Sequence, residues 1–142
     1  NHMLDVIISK YVTECKMKII NFSFDVYVTN LKYVKNNDLV TILSNALDNA
    51  IESAEQSSVK IVSISTDHIN TYDVITIVNS CDNSPKTKGN DLVTTKKDSS
   101  IHGLGIKSIQ KVLKQYNGDC QWEYNENKRE FTLIISLLSS QN

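Results

Sequence analysis

Residues 39–55, LVTILSNALDNAIESAE, carry the most regular apolar pattern in the chain. The apolar side chains recur at the i, i+3, i+4, i+7 spacing of a single helix face, which predicts an amphipathic helix. Asn36-Asn37-Asp38 comes just before this stretch and offers the side chains that usually cap a helix N-terminus. The expected buried stripe needs other elements to cover it, and consists of Leu39, Ile42, Leu43, Ala46, Leu47, Ala50, Ile51 and Ala54.

The segments on either side of this helix predict the other elements of one α+β domain. Period-two alternation predicts a half-buried strand over residues 20–28, and the polar residues 66–73 are expected to connect two later strands. We expect a two-layer sandwich in which three helices cover one face of a mixed sheet of about five strands. The remaining predictions are helices at 4–18 and from about 106 to Asn117-Gly118, and strands at 59–65, 74–79, 120–125 and 131–137.

Length and composition exclude several classes of protein. The chain has 142 residues, a formal net charge of -1 and 40% hydrophobic residues, which suits a single globular domain and not a basic nucleic-acid-binding module. No apolar run is long enough to span a bilayer. Cys15, Cys81 and Cys120 are an odd number without a C-x-x-C pair, so we expect free thiols in a reducing compartment. Asn1-His2-Met3 has the composition of an expression-vector remnant, which leaves residues 4–142 as the expected domain.

The polar face of the central helix is unusual in its composition. Successive 100° steps place Thr41, Asn45, Asp48, Asn49 and Glu52 on one side. Asparagine is a poor helix former, and its side-chain oxygen is a hard neutral ligand that suits Mg²⁺ beside phosphate oxygens. The alternative is a solvated helix face whose asparagines have no ligand.

A second candidate site is Gly103-Leu104-Gly105, which holds two of the four glycines and is expected to open a helix. Glycines at a helix start let backbone N–H groups approach a phosphate. The dinucleotide fingerprint is absent because Ser108 occupies its third glycine position, and no P-loop sequence occurs. The alternative is an ordinary helix start.

The preceding residues 80–102 show almost no apolar periodicity, which is typical of a functional lid or an insertion. Lys96 and Lys97 near its end could reach a phosphate as flexible point charges. Of the histidines, His68 is expected in a polar turn without partners at metal-ligand spacing, and His102 precedes the glycine pair.

These features together resemble one superfamily. LSNALDNAIE at 43–52 resembles the N box of the GHKL superfamily, which includes gyrase, heat-shock chaperone, histidine kinase and mismatch-repair ATPases. TTKK at 94–97 and HGLGI at 102–106 resemble its G2 box, with residues 80–102 as the ATP lid. Together with VNS at 78–80, these motifs are most similar to those of Agr-type quorum-sensing sensor histidine kinases. The resemblance extends from Leu4 to Leu138.

The resemblance implies a Bergerat fold with ATP between the N-box helix and the lid. It implies that Asn49 holds Mg²⁺, that Asn45 lies near the phosphates, and that Asn79 replaces the usual aspartate that reads the adenine amino group. An asparagine can accept from that amino group and donate to a ring nitrogen. The usual D-x-G-x-G glycines are absent, since Ser80, Cys81 and Asp82 follow, and Glu52 stands where many relatives carry Lys or Arg. The other implied nucleotide contacts are Thr95, Lys96, Lys97, His102, Gly103, Leu104 and Gly105.

The implied function is that of the ATP-binding catalytic domain of a sensor histidine kinase. Such a domain transfers the γ-phosphate to a histidine on a separate dimerisation domain, and a response regulator is its indirect partner. We expect a monomeric cytoplasmic domain of a membrane-anchored, dimeric receptor. Gyrase-like members carry a general-base Glu at the Asn45 position, and because an amide cannot take a proton, Asn45 favours a kinase over an ATPase. The alternatives are a hydrolysing GHKL ATPase and a docking module with a degraded nucleotide pocket.

Overall fold

The computed structural model describes residues 1–26, 31–88, 91–93 and 99–139. Strands are labelled β1 to β7 and helices α1 to α3 in chain order. The elements are α1 (His2–Met17), β1 (Asn21–Val26), a 3₁₀ turn (Leu31–Tyr33), α2 (Asn36–Glu55), β2 (Ile61–Ile69), β3 (Tyr72–Ser80), β4 (Lys86–Lys88), β5 (Asp91–Val93), α3 (Ser99–Lys114), β6 (Asp119–Asn125) and β7 (Glu130–Leu138).

The central helix α2 buries the stripe that its periodicity predicts. All eight apolar positions expected to be buried between Leu39 and Ala54 are buried, so that prediction is confirmed. The expected N-terminal cap is wrong, because α2 begins at Asn36 after Lys35, which makes no side-chain cap hydrogen bond. Asp38 instead accepts a hydrogen bond from the Tyr116 hydroxyl, which in turn accepts one from the Lys35 N–H at 3.1 Å. A tertiary contact thus takes the place of a local cap at this end of α2.

The five long strands form one mixed sheet in the order β1-β2-β3-β7-β6. Only the β1–β2 pair is parallel, and the other three pairs are antiparallel. Alternate residues of β2, β3 and β7 are buried, among them Ile64, Ile77 and Ile135. The helices pack on that face, with α2 over β2 and β3, α1 against β1 and α3 against β6. The predicted mixed five-stranded sheet with three helices is therefore confirmed.

Residues 66–73 were predicted to form a polar connection between two strands, and that prediction is wrong. These residues belong to a hairpin in which β2 continues to Ile69 and β3 begins at Tyr72, and Ile69 and Tyr72 pair directly. The prediction failed because Thr66 and Asp73 are polar yet buried, at 2% and 4% exposure. Asp73 accepts hydrogen bonds within the fold, and local polarity does not reveal such partners.

The segment 80–102 is also more regular than expected, in the part that the structure describes. β4 and β5 pair as a short antiparallel hairpin, and α3 begins at Ser99, before the glycine pair and not after it. Ser99-Ser100 suits a helix start, and a helix tolerates each interior glycine at a cost of about 1 kcal/mol.

Helix α3 ends at Lys114, three residues before the expected stop. Asn117 takes a positive φ of 50°, and the Gly118 N–H donates to the Leu113 carbonyl at 2.9 Å. A β-carbon at Gly118 would lie 2.3 Å from the Ser136 carbonyl oxygen. Close approach to β7 therefore requires glycine at this position.

The N-terminal elements differ from the predictions in small ways. Asn1 caps α1 by accepting from the Leu4 N–H at 3.2 Å, so the expected vector remnant contributes to the first helical turn. β1 is shorter than the predicted strand at 20–28, whose last two residues lie outside the described ranges. Phe24 is 57% exposed because β1 is an edge strand with a neighbour on one side only.

Within the described ranges, none of the helices combines the length and apolarity that a membrane crossing needs. The three cysteines are free thiols, as predicted. Cys15 and Cys120 are buried in the core, while Cys81 is partly exposed after β3.

Candidate functional site

The candidate site lies where α3 crosses the polar face of α2. A β-carbon built on Gly105 would lie 3.4 Å from Asn49 Nδ2 and 3.7 Å from Asn45 Oδ1. Gly105 is buried, and both asparagines are partly buried. The structure therefore brings together Asn45, Asn49 and Gly105, three of the residues predicted to form the binding site.

The Asn45 amide has a defined orientation. Its Nδ2 donates to the Thr41 carbonyl one helical turn earlier, at 2.8 Å. A carbonyl only accepts, so the atom facing Thr41 must be the nitrogen, and Oδ1 is the atom on the side of Gly105. Asn45 thus presents an oxygen, and not an N–H, to the contact between the two helices.

Asp48 does not share the site with the two asparagines, contrary to the predicted common face. Its Oδ1 accepts a hydrogen bond from the Tyr11 hydroxyl of α1 at 2.8 Å. Residue 48 is one 100° step from residue 49, and α2 contacts α1 as well as α3, so adjacent polar residues face different helices. Burial raises the pKa of Tyr11 well above its ordinary value. This pair was not predicted from the sequence, although Tyr11 follows Ile7 and Ile8 at helical spacing.

Asn79 lies at the end of β3 on the face that the helices cover. It is 2% exposed, and its Nδ2 donates to the Ser80 carbonyl at 3.0 Å. Within the described ranges its Oδ1 accepts no hydrogen bond. A buried acceptor without a partner is uncommon in folded proteins, which makes Asn79 a candidate for ligand contact.

Side-chain and backbone hydrogen bonds hold the turn after Asn79 in place of the absent glycines. The Cys81 N–H donates to the Arg129 carbonyl, and the Cys81 carbonyl accepts from the Tyr124 hydroxyl, both at 2.8 Å. The Asp82 carboxylate accepts from the Ser58 N–H at 3.0 Å and from its hydroxyl at 2.8 Å. The turn is therefore pinned to β6, to the β6–β7 turn and to the α2–β2 connection.

The remaining predicted site residues fall into two groups. His102, Gly103 and Leu104 lie in the first part of α3, so the backbone N–H groups at the helix start belong to residues 99–102 and not to the glycines. Thr95, Lys96 and Lys97 lie outside the described residues.

A polar cluster that the sequence analysis missed lies at the other end of β3. His68, expected in a polar turn without partners at metal-ligand spacing, places its Nδ1 3.0 Å from Asp73 Oδ1, and the Tyr33 hydroxyl donates to Asp73 Oδ2 at 2.6 Å. Burial is the main cause that raises the pKa of Tyr33. Asp73 is six residues before Asn79, or about 20 Å along a strand. The cluster therefore lies outside the candidate site.

The donor set of the candidate site suits Mg²⁺ bound together with phosphate. Among the described residues there is no group of three or more His, Cys, Asp or Glu side chains that could hold a metal ion. Asn45 and Asn49 offer neutral amide oxygens, which bind Mg²⁺ as part of a shell completed by phosphate and water. Gly105 adds no side chain beside the two amides, and the chemistry of the amide oxygens suits the ion in this mode.

Comparison with solved structures supports the same fold. The nucleotide-free catalytic domain of the histidine kinase ThkA superposes with a TM-score of 0.74 at 18% identity, over 98% of this chain and 91% of that chain. Histidine kinase AdeS from Acinetobacter baumannii gives 0.68 at 14% identity, over 99% of this chain and 64% of that one. Full-length ShkA in complex with AMPPNP gives 0.71 at 13% identity, over 96% of this chain and 29% of that one.

The TM-scores establish a shared fold, that of histidine kinase catalytic domains, and at these identities the likeness shows the fold alone. A search of curated protein sequences found no match. The family comparison is more direct, because residues 34–137 match the model described as a GHKL domain. That match covers more than half of the chain and includes α2, Asn79 and Gly105. The chain therefore belongs to the GHKL domain family.

Proposed function

We propose that this chain is the ATP-binding catalytic domain of a sensor histidine kinase. It binds ATP with Mg²⁺ and transfers the γ-phosphate to a histidine on a separate dimerisation domain. The observation that carries the proposal is the contact of Gly105 with the Asn45 and Asn49 amides. Gly105 has no side chain and lies beside Asn45 Oδ1 and Asn49 Nδ2 where the two helices meet, and a Mg²⁺-bound phosphate would lie next to these amides.

Each residue of the site has one role in this proposal. Asn49 contributes an oxygen ligand to Mg²⁺, and Asn45 directs Oδ1 toward the phosphate side because Thr41 holds its nitrogen. Asn79 contacts the base from the end of β3. Mg²⁺, when bound, neutralises charge on the β- and γ-phosphates. Lys96 and Lys97, which lie outside the described residues, would supply positive charge to the phosphates.

The chemistry of residue 45 favours phosphoryl transfer over hydrolysis. An amide cannot accept a proton from water, so Asn45 cannot act as a general base. The neighbouring carboxylate of Asp48 is turned to Tyr11 on α1. Bound ATP would therefore persist until an external imidazole arrives, and positioning would supply most of the catalysis.

We further propose a quorum-sensing context, supported by the resemblance of residues 43–52, 78–80 and 94–105 to Agr-type kinases. The domain would then be the cytoplasmic part of a dimeric, membrane-anchored receptor that signals to a response regulator. Conditioned medium from a dense culture should raise phosphorylation of the full-length protein in membrane vesicles. Medium from a sparse culture serves as the control, and equal effects would remove the quorum-sensing part of the proposal.

Titration calorimetry with ATP in the presence of Mg²⁺ tests the binding step. We expect a saturable heat that weakens when EDTA removes the metal. No heat at millimolar nucleotide would favour the docking module. Steady release of phosphate well above background would favour the hydrolysing ATPase.

Labelled ATP tests the transfer step. The domain alone should acquire no stable label, while the dimerisation domain of the full-length protein, added in trans, should acquire acid-labile label that requires Mg²⁺. Stable label on His68 or His102 of the domain alone would contradict the assignment of the acceptor to a separate domain.

A further inference from the structure

The first strand of the sheet, β1, has an outer edge that pairs with no other strand among the described residues. On its inner side, the Asn21 N–H donates to the Lys60 carbonyl at 2.9 Å in the parallel pairing with β2. The backbone groups of a strand point to alternate sides, so the odd-numbered residues of β1 face β2 and the even-numbered ones, from Phe22 to Val26, face outward. Such an edge is a template for a further strand.

The same edge carries exposed apolar surface. Phe24 is 57% exposed although its neighbour on β2, Ile64, is 1% exposed, so α1 does not cover this edge position. The Phe24 ring lies 6.4 Å from the ring of Phe22, which packs against the core together with Val26. β1 contains no lysine, arginine or proline, the residues that commonly protect an edge strand. The edge is therefore open in its backbone and apolar in its side chains.

The other edge strand of the sheet, β6, has a different character. Asp119 and Glu123 are exposed on β6, and its apolar and aromatic side chains are buried or partly buried. These acids would repel a second copy of β6 and also Asp25 of β1. Pairing of β1 with β6 would in addition build an open chain of subunits, whereas pairing of β1 with β1 closes a two-fold dimer.

The sequence of β1 is complementary to a second copy of itself in the antiparallel direction. With Phe24 opposite Phe24 of the second copy, Phe22 lies opposite the second copy's Val26. These pairs use the outward N–H and C=O groups and form about six backbone hydrogen bonds. On the opposite face, exposed Ser23 meets the second copy's Asp25, so each carboxylate meets a hydroxyl and not the other carboxylate.

We propose that the outer edge of β1 is a self-association surface and that its occupant is β1 of a second copy of this chain, antiparallel across a two-fold axis at Phe24. This pairing differs from the monomeric domain that the family resemblance implies. One strand pair buries less area than a standard interface, so we expect a reversible dimer with a dissociation constant on the order of 0.1–1 mM. Two copies linked in one dimeric receptor would reach about millimolar local concentration, which is enough to populate the pair.

Sedimentation equilibrium from about 10 μM to about 1 mM measures the association. The wild type should pass from monomer to dimer. Phe24→Lys places two like charges at the centre of the pair and should weaken the association about fivefold or more, with an unchanged melting temperature because residue 24 is exposed. Val40→Lys, at an exposed valine of α2, is the matched control and should dimerise like wild type.

Two results would overturn this assignment. A wild type that stays monomeric at the highest concentration would leave the edge to an extended segment of a different protein. Equal association of the wild-type and Phe24→Lys proteins would place the contact elsewhere on the surface. ATP binding does not require this pairing, because the candidate site lies between α2 and α3. Loss of self-association with ATP binding intact would therefore remove the dimer and leave the proposed function.

Disulfide trapping tests the register. A mixture of Ser23→Cys and Asp25→Cys proteins, each in a Cys81→Ser background, should form an intermolecular disulfide, because opposite residues of this kind have Cα atoms about 4.5 Å apart. Either protein alone should cross-link poorly, since each of these positions lies diagonal to its own copy, about 7–8 Å away. The remaining cysteines, Cys15 and Cys120, are buried. Equal cross-linking in all three samples would show unspecific collision and contradict the two-fold pair.

Discussion

Gly105 of α3 faces the side-chain amide of Asn49 on α2, and a β-carbon at residue 105 would lie 3.4 Å from Asn49 Nδ2. This distance is an ordinary van der Waals contact, so an alanine would fit in the nucleotide-free fold. The added methyl would nevertheless occupy the space beside both N-box asparagines, where the proposed Mg²⁺-bound phosphate lies.

Gly105→Ala should therefore weaken ATP binding without lowering the stability of the domain. We expect at least about a tenfold loss of affinity by calorimetry, from one displaced polar contact. Stability to urea should be unchanged or up to about 1 kcal/mol higher, since alanine is the better helix former. Gln110→Ala, an exposed neutral position on the same helix, is the matched control. Undiminished ATP affinity in Gly105→Ala would show that the nucleotide does not enter this space.

Asn49→Ala should remove the metal dependence of ATP binding. Affinity with Mg²⁺ should fall to about the value that the wild type shows in EDTA, because the proposed protein ligand of the ion is lost. Asn37→Ala, an exposed asparagine in the first turn of α2, should bind like wild type. A Mg²⁺ effect of wild-type size in Asn49→Ala would contradict the ligand assignment.

Asp73 and His68 should contribute very differently to stability although they form one pair. Asp73→Ala removes a 4%-exposed carboxylate that accepts from Tyr33 and from His68, and should cost about 2–3 kcal/mol. The His68 side chain is 54% exposed, so His68→Ala should cost less than about 1 kcal/mol. Urea denaturation measures both, and equal losses would contradict the reading of Asp73 as the structural member. ATP affinity should not change in His68→Ala, because the cluster is remote from Asn79.

Alkaline pH should destabilise the domain through its buried thiols. Burial raises the pKa of Cys15 and of Cys120 from 9.0 to about 11, helped by the nearby charges of Glu14 and Asp119 respectively. The unfolded chain loses these protons first, so the stabilisation is complete below pH 9 and is lost as pH rises toward 11. Between pH 8 and pH 10, the raised pKa of each thiol should lower the free energy of unfolding by about 1 kcal/mol.

Urea midpoints between pH 8 and pH 10 measure this effect. The Cys15→Ala/Cys120→Ala protein is the control and should have a flatter pH profile, whatever its absolute stability. Equal slopes in the two proteins would assign the alkaline loss to other groups. Tyr11, Tyr33 and Tyr116, whose pKa values are also raised, already contribute to the loss as the pH approaches 10, and they do so equally in both proteins.

Local sequence pattern is sufficient to predict some elements of this fold and not others. The buried stripe of α2 and the five long strands follow from periodicity, because side-chain direction in a helix or strand depends only on local geometry. The same reasoning failed for residues 66–73 and for the start of α3. Asp73 is buried because Tyr33, far away in the chain, supplies a hydrogen bond, and α3 begins at Ser99 and runs through two glycines that were expected at its start.

For the candidate site, the residue types at 45, 49 and 105 indicated a phosphate site before any coordinates, and the family resemblance added Asn79 as the contact to the base. The sequence could not assign Asp48 to α1, nor pair Ser57 with Ser80, because these pairings join residues on different elements. The repeat of apolar residues in 39–55 determined a helix with one buried side, and the residues at 43–52 carried the family resemblance. The packing of α3 decided that Gly105 would meet Asn49, since only long-range contacts determine which surface covers a given face.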